Sequence, residues 1–217
     1  TTEWAARGKA ELGSIPVEET PEGRKPALFG IVQGGIDEGL RRKSAEEIAA
    51  IGFDGYAAGG LSVGEPKEAF LDAVTFTAPL LPEEKPRYVM GIGFPEDIVA
   101  AVRAGFDLFD CVLPTRMARN GTMLTSRGRL VVKNGTYARD DRPPDPACDC
   151  STCRRFSRAF IRHLFSVGEI LALRLATLHN LRFYFRFVAE ARRSIEEGRF
   201  DAWSAAFLEA YRSEEGL

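Results

Sequence analysis

Three of this chain's four cysteines, Cys148, Cys150 and Cys153, crowd one short loop, and His179 follows inside a long apolar-periodic stretch. A structural Zn²⁺ takes four tetrahedral sulfur or nitrogen ligands, and a tight thiolate cluster completed by an imidazole on a following helix supplies them without long-range loop closure. The pattern predicts a closed structural zinc site with Cys148, Cys150, Cys153 and His179 as ligands. Only two histidines exist, so His163 is the competing fourth ligand. Any fold of this chain must bring a proline-rich loop and a distant helix together around one metal.

The rest of the composition is ordinary for a globular chain of 217 residues, with 45% hydrophobic and 28% charged residues. No run approaches the ~20 apolar residues of a membrane span, and the opening Thr1-Thr2-Glu3-Trp4 does not read as a signal peptide. A reducing, cytoplasmic setting is expected, in which clustered thiols serve metal rather than disulfides. Net charge is −2, yet residues 111–163 hold ten Arg and one Lys against four Asp, while the negative balance lies earlier in the chain. A basic stripe on an otherwise acidic protein is the footprint of a phosphate-backbone partner.

Along the first half a strand-then-helix rhythm repeats. Ala27 to Gln33 is a short apolar run closed by Gly34 and Gly35, followed by a helix from about Asp37 to Ile51 with apolar Ile36, Leu40, Ile48 and Ile51. Asp54 to Gly60 leads into a helix from Pro66 to Leu81. Arg87 to Gly93 leads into a helix from Pro95 to Ala104, and Phe106 to Cys111 is a fourth strand ending at Pro114. Continuous apolar strands alternating with amphipathic helices predict a parallel sheet covered by helices. Four such units fit half of a (β/α)8 barrel. An open doubly wound sheet is the alternative, although Gly91-Ile92-Gly93 breaks off before completing a dinucleotide fingerprint. In a barrel the strand C-termini face the active site, which makes Gln33, Gly59, Gly60, Met90 and Asp110 the candidate residues.

After Pro114 the rhythm stops. Thr122 to Ser126 and Leu130 to Lys133 read as a β-hairpin around Arg127-Gly128, and a proline-rich loop leads into the cysteines. From Val167, apolar Leu171, Leu175, Leu178, Leu181, Phe185 and Val188 recur at helical spacing, so one amphipathic helix carries His179 back to the cysteine loop. The expected division is a half-barrel over 1–114, a hairpin and zinc-binding subdomain over 115–180, and a C-terminal helical segment over 181–217 that packs on the barrel.

Four motifs in order, Phe29 to Gly35, Gly59 to Glu65, Phe109-Asp110-Cys111-Val112-Leu113-Pro114-Thr115-Arg116, and Cys148-x-Cys150-x-x-Cys153 with His179-Asn180, resemble the bacterial queuine tRNA-ribosyltransferase (tRNA-guanine transglycosylase) family from Trp4 onward. The resemblance implies the second half of a TIM-type barrel with an inserted zinc subdomain. It implies base exchange at the tRNA wobble position, where guanine in a G-U-N anticodon is replaced by a 7-deazaguanine, a queuosine precursor. Asp110 matches the family's nucleophile, and a carboxylate attacking the anomeric carbon forms the covalent ester such an exchange needs. Gln33, Gly60, the Leu61 backbone and Met90 match the base pocket, and Glu65 a residue that supports it. The loop Gly91, Ile92, Gly93, Phe94, Pro95, Glu96, Asp97 and the segment Thr115, Arg116, Met117, Ala118, Arg119 match RNA-contacting segments; Arg154, Arg155, Arg158 and Arg162 would extend the basic surface.

The family's general acid/base and a further base-reading aspartate fall before Thr1. The chain therefore reads as the C-terminal portion of a longer enzyme, one that pairs as a homodimer, and these residues alone are expected to exchange no base and to self-associate through open sheet edges. A non-catalytic tRNA-binding paralogue and a zinc-stapled hydrolase are the alternative readings. Retention of Asp110, Gln33 and Gly60 weighs against the first.

Overall fold

The structure, a computed structural model, describes residues 1–16, 26–61 and 63–212. Ser62 of the second motif and the last residues of the expected C-terminal segment lie outside the described residues. The chain divides into two compact units, Thr1–Cys111 and Val112–Leu217. The first boundary thus falls three residues before the expected one, and the expected division at 180/181 falls inside a single helix.

In the first unit, helix α1 (Thr2–Ser14) precedes a repeated strand–helix series that the sequence rhythm outlines. The series runs β1 (Phe29–Val32), α2 (Glu38–Ile51), β2 (Gly55–Ala58), α3 (Lys67–Thr77), β3 (Arg87–Val89), α4 (Pro95–Ala104) and β4 (Leu108–Phe109). The strands form one parallel sheet in the order β1-β2-β3-β4. Local chemistry sets the helix starts. Asp37 caps α2 by accepting from Leu40 N–H at 2.8 Å, and Pro95 occupies the first turn of α4, where a missing N–H costs nothing. The strands are shorter than their apolar runs because the ladder stops where the chain turns toward the next helix.

The core of this unit lies between sheet and helices, where Val32, Ile48, Ala58, Val74, Val89, Val99 and Ala101 are essentially solvent-free. Helix α2 does not present the expected apolar face. Ile36 and Leu40 are exposed, and the buried line is Arg41, Ala45 and Ile48. A cation occupies a core position because its head has backbone carbonyls to meet there, as described below.

In the second unit, α5 (Leu113–Arg119) leads into a hairpin of β5 (Thr122–Thr125) and β6 (Gly128–Val131), with Thr125 opposite Gly128 across the Ser126-Arg127 turn. Helices α6 (Ser151–Arg155), α7 (Arg158–Ser166), α8 (Ile170–Glu196) and α9 (Phe200–Arg212) follow. The buried face of α8 differs from the expected one. Leu175 is buried, but Leu171, Leu178, Leu181, Phe185 and Val188 are exposed, and Ala172, Ala176, His179, Asn180, Phe183 and Phe187 face inward. Small residues let α8 lie close to α5 and β5, and the inward polar groups are satisfied. Asn180 accepts from Leu124 N–H at 2.9 Å and donates to the Pro114 and Thr122 carbonyls at 3.0 and 3.1 Å. Arg158, expected on the basic surface, is buried. It donates to the Pro143 and Pro144 carbonyls at 3.0 and 3.1 Å and to Asp140 at 3.2 Å, which braces the proline-rich loop against α7. No helix among the described residues is long and apolar enough to cross a membrane.

Candidate active site and metal centre

Strand register gathers the first site. Val32 pairs with Ala58, Ala58 with Val89, and Val89 with Phe109, so Gln33, Gly59, Met90 and Asp110 each stand one residue beyond a common row, at the C-terminal edge of the sheet. This is the edge at which parallel α/β folds carry their ligands. Gln33 and Met90 are half-buried, Leu61 is buried, and Gly60 and Asp110 are exposed. A Cβ built on Gly59 would stand 2.9 Å from Gln33 Nε2 and 3.5 Å from the Met90 sulfur, and one on Gly60 would stand 2.5 Å from Gln33 Oε1. Gly60 also has φ +66°, the left-handed region that side chains disfavour. Only glycine lets backbone and the Gln33 amide share this corner. The corner offers an amide, exposed backbone and a thioether, the set a flat heterocycle with polar edges needs.

Asp110 directs one oxygen inward. Its Oδ1 accepts from the Tyr88 hydroxyl at 2.5 Å and from Gly91 N–H at 2.9 Å. That carboxylate hydrogen bond, with lesser contributions from burial and charge, pushes the Tyr88 phenol up to about 12. The loop after β3, expected to meet RNA, is mostly closed to solvent. Gly91 is exposed, whereas Ile92, Gly93, Pro95 and Asp97 are buried and Phe94 and Glu96 are half-buried. Asp97 forms a 2.8 Å ion pair with Lys67, and Glu96 stands 3.6 Å from the same ammonium; both acids lie in the first turn of α4, where the helix dipole favours them. In the second unit, Arg116 and Arg119 are exposed on α5, Thr115 and Met117 are half-buried, and Ala118 is buried. Thr115 turns its hydroxyl back to the Val112 carbonyl at 3.1 Å.

The metal centre is closed. Cys148, Cys150, Cys153 and His179 are all buried, with ligand atoms within 4.8 Å of one another. A tetrahedral Zn²⁺ with its usual bond lengths sets sulfur and nitrogen roughly 3.5 Å apart. His179 Nδ1 lies 3.2 Å from Cys153 Sγ and 3.6 Å from Cys150 Sγ, which fits that edge. The other ring nitrogen settles the tautomer. Nε2 lies 2.7 Å from the Leu124 carbonyl, which can only accept, so Nε2 carries the proton and Nδ1 keeps its lone pair for metal. His163 is exposed on α7 and takes no part. Helix α6 begins at the cluster, with Cys150 Sγ accepting from Cys153 N–H at 3.3 Å. Hydrogen bonds from its neighbours, that of Cys148 foremost, draw the Cys150 thiol well below a free thiol's range. Buried Asp145 accepts from Ser126 N–H and Ala147 N–H, both at 2.9 Å, and so joins the hairpin turn to the cysteine loop. Four protein ligands and no open position make this a structural zinc site.

The family whose model matches, Queuine tRNA-ribosyltransferase, aligns with residues 1–213. The chain belongs to that family. A protein from Syntrophobacter fumaroxidans named queuine tRNA-ribosyltransferase is 53% identical over 207 residues, covering 95% of this chain and 53% of its own length. One of the same name from Pelotomaculum thermopropionicum is 49% identical over 214 residues, 99% of this chain and 55% of its own length. A third, from Actinobacillus pleuropneumoniae serotype 3, is 56% identical over 204 residues, 94% and 52%. The chain spans about half the length of the curated relatives it matches.

Within this queuine tRNA-ribosyltransferase fold, sequence reasoning passed over two residues of the first site. Tyr88 on β3 precedes Met90, the first residue beyond that strand, by two positions, and alternation alone would have put both on one face. Arg41 carried no such signal, because an arginine on a helix ordinarily reads as a solvated charge.

Proposed function

We propose that these residues provide the covalent chemistry and base pocket of a wobble-position tRNA base exchange. Asp110 Oδ2 attacks C1′ of the guanosine ribose, the C1′–N9 bond breaks, and guanine leaves with a proton at N9. The incoming 7-deazaguanine gives up its N9 proton, attacks C1′ and releases the Asp110 ester, so two displacements return the original configuration. A proton carrier beside N9, outside the residues assigned here, supplies the first proton and takes up the second. One observation carries the reading: Asp110 stands in register with Gln33, Gly59 and Met90, with Oδ1 tied down and Oδ2 without any described hydrogen bond. A nucleophile needs one such oriented oxygen.

Gln33, Gly60, the Leu61 backbone and Met90 hold the base, and Glu65 supports the loop by accepting from Val63 N–H at 2.9 Å. Exposed Arg116 and Arg119 contact the flanking phosphates of a G-U-N anticodon loop from which the target base is turned out. Gly91 is the open point of the loop that follows β3, and the buried members of that loop shape it from behind. Four parallel strands in sequence order, with no reversal of direction, favour half of a (β/α)8 barrel over a doubly wound sheet. The exposed apolar residues of α8, among them Leu178 and Phe185, suit packing against further structure in a homodimeric, cytoplasmic enzyme of full family length.

The deciding experiment traps the ester. In an enzyme of full family length carrying these residues, a denaturation-resistant protein–tRNA band forms with the parent and is absent from Asp110→Asn, while tRNA binding persists. A band that survives in Asp110→Asn moves the nucleophile elsewhere.

A further inference from the structure

Arg41 is completely buried in the first unit, and the hydrogen bonds its head makes go to backbone carbonyls. Nε donates to the Gly35 carbonyl at 2.6 Å and Nη2 to the Gly59 carbonyl at 2.9 Å. Nη1 is buried with no hydrogen-bond partner among the described residues. Burial lowers the guanidinium's pKa, and the charge of Glu65 opposes that shift. The packing around it is committed. Gly34 has φ +135°, and a Cβ there would stand 2.7 Å from Arg41 N and 2.9 Å from Arg41 Cγ.

Sheet integrity does not call for this cation. β1 and β2 are already joined by their parallel ladder, which Gly59 N–H extends by donating to the Val32 carbonyl at 2.9 Å. What Arg41 adds lies beyond the ladder, at the two turns that carry Gln33 and Gly60. Among the described residues no peptide bond is cis. In a planar trans peptide the carbonyl and the following N–H point in opposite directions. A guanidinium holding the Gly59 oxygen therefore aims the Gly60 N–H away from itself. A charge-assisted bond to that oxygen also draws electron density through the amide and strengthens the N–H as a donor.

We propose that Arg41 is a positioning residue for base recognition: by gripping the Gly59 carbonyl it orients and polarises the Gly59–Gly60 peptide, so that the Gly60 N–H is presented to the exocyclic oxygen of the bound base. Its second bond, to Gly35, keeps the turn that follows Gln33 in step, so amide and peptide donor meet the same base edge. The inference rests on the base-exchange reading above.

The test uses an enzyme of full family length carrying these residues, with Arg41→Gln and Arg41→Lys. Labelled-guanine exchange should show the KM for guanine raised about tenfold in Arg41→Gln, as expected for one weakened bond to a polarised donor. The kcat and the KM for tRNA should stay within about threefold. Lysine keeps the charge but cannot span both carbonyls, so Arg41→Lys should restore only part of the loss. As a competing base, 2-aminopurine lacks the exocyclic oxygen, and its inhibition constant should not move in either variant. Equal loss for guanine and 2-aminopurine, an unchanged guanine KM, or a parallel fall of kcat and tRNA affinity overturns the proposal. So does failure of both variants to fold, which would mark Arg41 as structural. A parent enzyme that exchanges no guanine overturns the functional reading, and this inference with it.

Discussion

The Tyr88 hydroxyl donates to Asp110 Oδ1 at 2.5 Å, across neighbouring parallel strands and beside a second donor, Gly91 N–H. Two donors on one oxygen make the carboxylate asymmetric. Oδ1 is the anchored atom, and Oδ2 is the one the proposed attack on C1′ would use. Removing the hydroxyl should leave Asp110 in place but loosely aimed. In the enzyme of full family length, Tyr88→Phe should slow formation of the covalent RNA adduct about tenfold or more, the worth of a hydrogen bond to a charged group. Tyr88→Phe with adduct formation at the parental rate would assign Tyr88 to packing.

The same bond makes a titration prediction. The Tyr88 phenol is pushed up to about 12, chiefly by its bond to Asp110. A folded-state pKa raised above the unfolded value of about 10 means the stabilisation is complete below that pH and lost as pH rises through about 12. Phenolate absorbance in this chain should therefore include a component that ionises near pH 12, and Asp110→Asn should move that component to lower pH. A spectrum unaffected by Asp110→Asn would contradict the pairing.

Gly60→Ala should strike the base and spare the RNA. The new Cβ would lie 2.5 Å from Gln33 Oε1 at a backbone φ of +66°, so either the amide or the peptide must move. A strained left-handed alanine costs about 1–2 kcal/mol. We expect at least a tenfold rise in the KM for the incoming base, with tRNA retention on a filter unchanged.

Metal content distinguishes the two histidines. Purified chain should carry about one zinc, the occupancy of a closed four-ligand site. Cys150→Ser and His179→Ala should lose it, and His163→Ala should keep it. A strong chelator should lower the melting temperature of the parent, because ligand free energy is folding free energy in such sites. Stoichiometric zinc in His179→Ala would reassign the fourth ligand.

Arg158 offers a stability test independent of metal chemistry. Its buried guanidinium binds two proline carbonyls and Asp140, and Arg158→Met would leave those acceptors unmatched, at a cost of about 2–4 kcal/mol. Arg158→Lys should rescue little, since an ammonium lacks the fork. Asp140 is drawn down to about 2, first by its hydrogen bond from Arg142. A depressed carboxyl stabilises fully above about pH 4 and loses that contribution as pH falls through about 2. Acid melts of Asp140→Asn and parent should accordingly converge toward pH 2 and separate near neutrality.

The sequence by itself determined the alternation of strands and helices, the hairpin and the zinc ligands, because each is written in local period or spacing. Proline and aspartate mark the helix starts, glycines the strand ends, and three cysteines within one loop leave metal few other arrangements. Asp110, Gln33 and Met90 were legible as strand-end residues for the same reason. Which residue fills which face was not legible. On α2 the apolar count favoured Leu40, yet Arg41 is buried; on α8 it favoured Leu178 and Phe185, yet Ala176, His179 and Asn180 turn inward. Helical periodicity reports where apolar side chains recur, whereas burial depends on what lies opposite. A cation or an amide belongs inside when backbone carbonyls from distant strands and turns converge on it, and only the tertiary structure brings them there.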